Sequence, residues 1–538
     1  MSYCKKMIAV AIVLCFSFVF MTGCSLMNKS TSKNTLRVAA INDPGTADTQ
    51  LTTEEYNLPL NIFERLVEIK TSAPGVSEMV PGLAEKWDIS PDGKVYTFHL
   101  RKGVKFHNGE ELTADDVVYT VDRMLNPKTK ALNTDFFDMI AGAKERVEGK
   151  ADTTAGIKAV DKYTVEITLS QPFAPFLANL ATPAASIYNR KATEAAGTQF
   201  GLDPEKTVGT GPFKLKEWKV NDHITMVAYD QYWGGKAALD GIIIKIVPDA
   251  DTQKMLFETG ELDVFNCDLA RTQIPYFEGS DKWKNHIVKG PRVGLYYYSM
   301  NQNIKPFDDV RVRKAFQMAI NRQELLDKLY FGKGKLVNTI MPPGLLGYNP
   351  NAPQIPYDPQ KAKQLLAEAG YPNGFSMVIA HVADRPEALR VNEAVQAMLK
   401  EVGITVEIKQ MDRASLLSTR KQGQLPMYMD IWSADFNDPD NFIYTFFAPR
   451  NSIARSYNYK NETVAGQLEQ ARRMTNPEER YKLYQEMETQ IVINDAAWLP
   501  LFSPEHLFVV QPRVKNFKVA WNGWSDMPYY GISLEESK

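Results

Sequence analysis

The chain has 538 residues, with 62 basic and 64 acidic side chains and a net charge of -2 at neutral pH. A balance this even offers no field for nucleic acid or another polyanion, and the six histidines are scattered without the paired spacing of a zinc site. At roughly 100 to 200 residues per domain, the length predicts about two to four domains, each able to bury a core.

The first residues, MSYCKKMIAVAIVLCFSFVFMTGCS, place Lys5 and Lys6 before an apolar run from Met7 to Phe20, then small residues and Cys24. This is the layout of an export signal, and the run is shorter than the roughly 20 apolar residues of a membrane-spanning helix. Met21, Thr22, Gly23 and Cys24 resemble the bacterial lipobox, in which cleavage before the cysteine follows diacylation of its thiol. Residues 1–23 are therefore expected to leave as a signal peptide, and Cys24 to carry the lipid. Two acyl chains anchor stably where one is marginal, and the polar SLMNKSTSKNT makes residues 24–35 a tether. The expected location is the extracytoplasmic face of the cell membrane. Cys4 and Cys15 depart with the signal, so Cys267 alone remains in the body and no internal disulfide is expected.

LRVAAI then reads as a strand, and YNLPLNIFERLVEI as a helix, because Leu60, Ile62, Phe63, Leu66 and Val67 recur at helical spacing. KVYTFHL and VKFHN read as a hairpin bounded by the turns SPDGK and RKG. Thr113 is placed as an N-cap with Asp116 in the capping-box position, ahead of an apolar face of Val117, Val118, Val121, Met124 and Leu125. Strands are expected from Tyr163 to Leu169 and from Ile242 to Val247, the second buried on both faces. Between them, Gly209, Gly211 and Pro212 make a rigid turn into a strand; no helix follows to aim amides at a phosphate. Further on, Asp358 caps a helix with Pro359 at its first position and Gly370 as terminator. SMVIA, the helix EALRVNEAVQAMLKEVG and ITVEIK form a β-α-β unit, which implies parallel pairing. The local signals thus describe an α/β protein of several domains.

PGLAEKWDISPDGKVYTFHLRKGVKFHNGEELTADDVVYTVDRM, VGTGPFKLKEW, NQNIKPFDDVRVRKAFQMAINRQ and YDPQKAKQLLAEAG occur in this order. Together they resemble the extracellular solute-binding proteins of the peptide and nickel class (family 5), most closely the oligopeptide- and dipeptide-binding lipoproteins, over about residues 36 to 517. The resemblance implies a two-lobed, hinged periplasmic-binding-protein fold of type II with an additional inserted domain. Lobe I is then expected from residues 36–75, 185–290 and 506–538, the insert from 76–184 and lobe II from 291–505, with hinge crossings near Gly290 and Ser503. It also implies a peptide ligand, no cofactor, no catalytic role, a monomer, and the permease and ATPase components of an ABC importer as partners.

Within IWSADFNDPDNF the resemblance places a tryptophan three residues before an aspartate that meets the ligand's α-ammonium: here Trp432 walls the cleft and Asp435 supplies the charge-assisted hydrogen bond. By themselves the residues leave a second reading open, Asp435 as a turn residue among Asn437, Asp438, Pro439 and Asp440. A calcium loop fails, because Pro439 and Phe446 stand where an EF-hand needs oxygen ligands. Arg420, twelve residues before Trp432, stands where some relatives of this class carry a basic residue facing the ligand's carboxylate end. Met429 replaces a second arginine of that subfamily, which leaves the far end of the ligand without an assigned partner. In GLYYYSMNQ, strand alternation sets Tyr297 on one face and Tyr296 and Tyr298 on the other. Tyr297 is a ligand-facing candidate, with core packing expected for at least two of the three.

Two rival readings differ in class. An anchored extracellular hydrolase lacks a G-x-S-x-G, an H-E-x-x-H or a cysteine-histidine arrangement, and Glu110 and Glu111 read as a polar turn. The same fold with a nickel complex, haem or oligosaccharide as ligand remains open, since fold does not determine function.

Overall fold

The computed structural model describes residues 34–535 apart from 54–55, 74–75, 384 and 523–526. The expected signal peptide, the lipid-bearing Cys24 and nearly all of the tether lie outside the described residues. Among those described, no helix is long and apolar enough to cross a membrane, and Cys267 is a buried free thiol.

Four groups of strands organise the chain. Thr35–Ala40 lies parallel to Gly241–Ile246, which continues antiparallel to His223–Ala228 and then Phe213–Lys219. In Gly241–Ile246 only Gly241, Ile242 and Ile244 are buried, so burial largely alternates rather than covering both faces as expected. Val264–Asn266 and Ile287–Pro291 flank the long strand Phe502–Val510. A four-stranded antiparallel sheet, Ala84–Ile89, Val95–Leu100, Thr164–Thr168 and Ile157–Asp161, packs on the helix Ala114–Leu125. The fourth is five-stranded, in the order Ile404–Met411, Phe375–Val382, Met427–Ser433, Gly294–Met300 and Trp498–Pro500.

Local chemistry explains many of these elements. The Thr113 amide donates to Asp116 at 3.0 Å, closing the first turn of Ala114–Leu125. Asp358 accepts from the Lys361 amide at 2.8 Å to start Pro359–Glu368, and Gly370 takes φ +94°, a left-handed value suited to its lack of a Cβ. Phe375–Val382 and Ile404–Met411 pair in parallel across the helix Pro386–Glu401.

Two further expectations are corrected. YNLPLNIFERLVEI forms only the one-turn helix Pro59–Ile62; from Val67 the chain pairs with Val76–Pro81 as a hairpin. The apolar spacing there records burial against the surrounding core, not a continuing helix. The strand Val95–Leu100 turns through SPDGK onto Ala84–Ile89, not onto VKFHN, whose Lys105 makes only an isolated bridge to Glu111. A turn signal sets where the chain reverses, but the two hydrophobic arms it joins decide the partner.

The long strand Phe502–Val510 connects the halves. Its last residues pair with Val264–Asn266 and Ile287–Pro291, and its first residues with Gly334–Leu336. Beside it, the Arg292 amide donates to Pro504 O at 3.1 Å and the Ser503 hydroxyl donates to Arg292 O at 2.8 Å. The chain near Arg292 and the start of this strand, where the two crossings are expected, are therefore hydrogen-bonded to each other, next to a contact of His506 with Asp268.

Candidate functional site

Met427–Ser433 runs through the middle of the five-stranded sheet, antiparallel to Gly294–Met300 and parallel to Phe375–Val382. Period-two alternation divides its side chains. Tyr428 and Trp432 pack with Tyr297, while Met427 and Met429 join the core on the opposite face with Tyr298 and Phe316. Met429 thus points away from Asp430 and Trp432. At the end of the strand the chain enters a tight turn capped by the 3-10 segment Pro439–Asn441.

Asn441 organises this turn. Its carboxamide accepts from the Asp435 amide at 3.0 Å and donates to the Asp435 carboxylate at 2.9 Å, and its carbonyl accepts from Trp432 Nε1 at 3.0 Å. Trp432 and Asp435 are therefore oriented by one residue, which no sequence motif had singled out. Among the described residues Asp435 makes no ion pair, and desolvation pushes its carboxyl up to about 6, with the Asn441 bond opposing the rise. The neighbouring oxygens behave differently. Asp438 holds Arg480 through two bonds of 2.7 and 2.6 Å, and Asp440 lies 3.2 Å from both Arg472 and the Tyr484 hydroxyl. Asn437 accepts from the Leu346 amide at 2.9 Å and donates to Ser77 at 2.6 Å. The oxygen-rich segment NDPD serves the turn, and among the described residues no cluster of acids, histidines and cysteines has the form of a metal site.

Cations line the same wall. Arg420, on the helix Arg413–Lys421, lies 3.5 Å from Asp430, which Arg385 holds at 2.8 Å. Arg455, just past the helix Pro449–Ala454, lies with its guanidinium 4.4 Å from the ring centres of both Trp432 and Phe446. Tyr297 is completely buried, stacked on Trp498 at 4.2 Å. Its ring lies in the core beneath this wall, and its hydroxyl is buried without a hydrogen-bond partner. Asp435, Trp432 and Arg420 are half-buried on the side that carries Asp430 and Arg455.

The region containing the four-stranded antiparallel sheet packs against this wall. Phe136 meets Phe436 edge-on at 5.8 Å, the Ala174 amide donates to Arg472 O at 2.8 Å, and Ser77 meets Asn437. Asp135 and Asp138 face the wall from that region. Burial raises both carboxyls, Asp138 to about 6, with nearby arginines opposing the rise. Arg385, Arg455, Asn441 and Asp135 reach one place from four stretches of chain, and only that of Asn441 lies within a segment the sequence had singled out. The only sequence hint for Arg385 was its position before Pro386 at the start of a helix.

The family model of the bacterial extracellular solute-binding proteins, family 5, matches residues 78–453. The chain belongs to that family. The dipeptide-binding protein of Escherichia coli strain K12 is 36% identical over 479 residues, covering 85% of this chain and 86% of that protein. Heme-binding protein A of Haemophilus influenzae is 34% identical over 499 residues, covering 88% and 87%. Among solved structures, the periplasmic binding protein DppA from Helicobacter pylori in complex with the peptide STSA superposes with a TM-score of 0.77. It is 31% identical, and the match covers 93% of this chain and 98% of that one. These family 5 relatives are binding proteins, not enzymes, and the two-lobed α/β architecture expected from the sequence is theirs.

Proposed function

We propose that this family 5 protein captures peptides between its two lobes outside the cytoplasm and delivers them to the permease of an ABC importer, held at the membrane by lipid on Cys24. The observation that carries the reading is Asp435: a half-buried carboxylate that no cation among the described residues pairs with, held by Asn441 and walled by Trp432. A ligand α-ammonium supplies the missing charge, and the low-dielectric surroundings strengthen that bond. Arg420 and its neighbours face the anionic end of the ligand. The lobes, with the boundaries expected above, move about the crossings near Gly290 and Ser503, and the ligand favours the closed state through contacts to both sides. Tyr297 supports the site from beneath.

Native mass spectrometry of protein purified without denaturation tests this. Co-purified peptides, displaced by added dipeptide, are the expected result. A haem, a metal chelate or a sugar in the cleft, with no peptide binding by calorimetry, overturns it.

A further inference from the structure

Buried arginines elsewhere in this lobe have acceptors. Arg480 is bidentate on Asp438. Arg313 donates to the carbonyls of Phe307 and Asp495 at 2.7 Å each, and Arg322 to that of Val337 at 2.6 Å and to Asn338 Oδ1 at 2.8 Å. Arg455 differs. Its Nη1 is buried and, among the described residues, meets no hydrogen-bond acceptor, and no carboxylate there forms an ion pair with it. The rings of Trp432 and Phe446 hold its guanidinium by cation–π contact. Those contacts do not replace the in-plane acceptors that its N–H groups call for. A buried donor left unpaired destabilises a fold, so an unpaired arginine beside a ligand cleft points to an acceptor that arrives with the ligand.

The charges on the wall lead to the same place. Arg385, Arg420 and Arg455 stand against Asp430 and Asp435. Asp430 already takes Arg385 at 2.8 Å and Arg420 at 3.5 Å, and Arg420 Nε is itself buried without an acceptor. Across the cleft, Asp135 influences Arg455 without pairing with it. Asp430 is shared by Arg385 and Arg420 and balances only one of them, so once Asp435 takes the ligand's ammonium two positive charges are left among these five side chains, one beside Arg420 for the terminal carboxylate and one on Arg455.

We infer that the ligand carries a second anionic group besides its terminal carboxylate, seated on Arg455 beside Arg420, so that the cleft selects peptides with an acidic side chain. This rests on the peptide reading above and narrows it. A neutral amide of the same shape offers Arg455 one uncharged oxygen in place of a bidentate carboxylate, a weaker partner for a buried guanidinium.

The test is calorimetric titration of the intact protein with Ala-Glu and Glu-Ala against their amide counterparts Ala-Gln and Gln-Ala. The acidic member of at least one pair is expected to bind tenfold or more tightly. Arg455→Gln should abolish that preference, bringing the acidic member of each pair to the affinity of its amide counterpart, and Arg455→Lys should retain part of it. Thermal melting checks that both variants fold, and the wild-type comparison needs no variant. Equal affinity within both pairs overturns the inference and leaves peptide capture standing. No binding of any of the four overturns the peptide reading and this inference with it.

Discussion

Two carboxylates three residues apart on one turn have opposite circumstances. Asp438 is buried and fully paired, its two oxygens on Arg480 at 2.7 and 2.6 Å. Asp435 is held only by a neutral carboxamide, and Arg455 acts on its charge without pairing with it. Both arose from the same acidic string, and nothing in their residue type separates them. The paired charge holds the turn in position. The unpaired one keeps its bonding capacity, and the desolvation of Asp435 is the cost of a site ready for a cation.

The largest effect is expected from breaking the paired side. Arg480→Ala strands Asp438 as a buried charge, which costs about 3–5 kcal/mol. Urea denaturation should show that loss, along with displacement of the NDPD turn. A loss below about 1 kcal/mol would mean that the pair is dispensable.

The unpaired side should respond in binding, not in folding. Asp435→Asn keeps an oxygen for Asn441 and removes the charge. The melting temperature should be unchanged or slightly higher, while peptide affinity by calorimetry falls about 30-fold or more, as for removal of one partner of a buried charge pair. A variant that binds as tightly as the parent takes Asp435 out of the site.

pH sharpens the contrast further. Asp435 and Asp440 are each raised to about 6 by burial. A carboxyl whose pKa is raised on folding adds stability that is complete below its unfolded value, near 4, and is lost as pH rises through about 6. Between pH 7.5 and pH 5, these two groups should therefore stabilise the empty protein increasingly as the pH falls. Peptide affinity should move the other way, since the ammonium needs ionised Asp435, weakening about five- to tenfold from pH 6 to pH 5. Paired melting and titration series check the opposed signs, and the Asp435→Asn variant should flatten the binding profile.

How far the sequence could be read follows the reach of each interaction. The capping box at Thr113 and Asp116, the N-cap at Asp358 and the β-α-β unit around Pro386–Glu401 depend on residues close in the chain, and each appears in the structure where the local chemistry puts it. The one-turn helix at Pro59–Ile62 and the pairing of Val95–Leu100 depend on distant partners, and there periodicity and turn signals pointed the wrong way.

At the candidate site, Trp432 and Asp435 could be singled out because strand and turn bring them together within a few residues. Whether Asp435 was a turn residue or a charge held in reserve depended on its partners. Only the tertiary structure shows that Arg480 and Arg472 attend to Asp438 and Asp440 while no cation pairs with Asp435. The same holds for Arg455, an unremarkable arginine in the sequence whose Nη1 is buried without an acceptor among the described residues once Trp432 and Phe446 lie against its guanidinium. Sequence by itself determined the residue types, the local caps and the layout expected of an exported, anchored protein. Which charges are neutralised was decided by the fold, because compensation is a matter of distance in space and not along the chain.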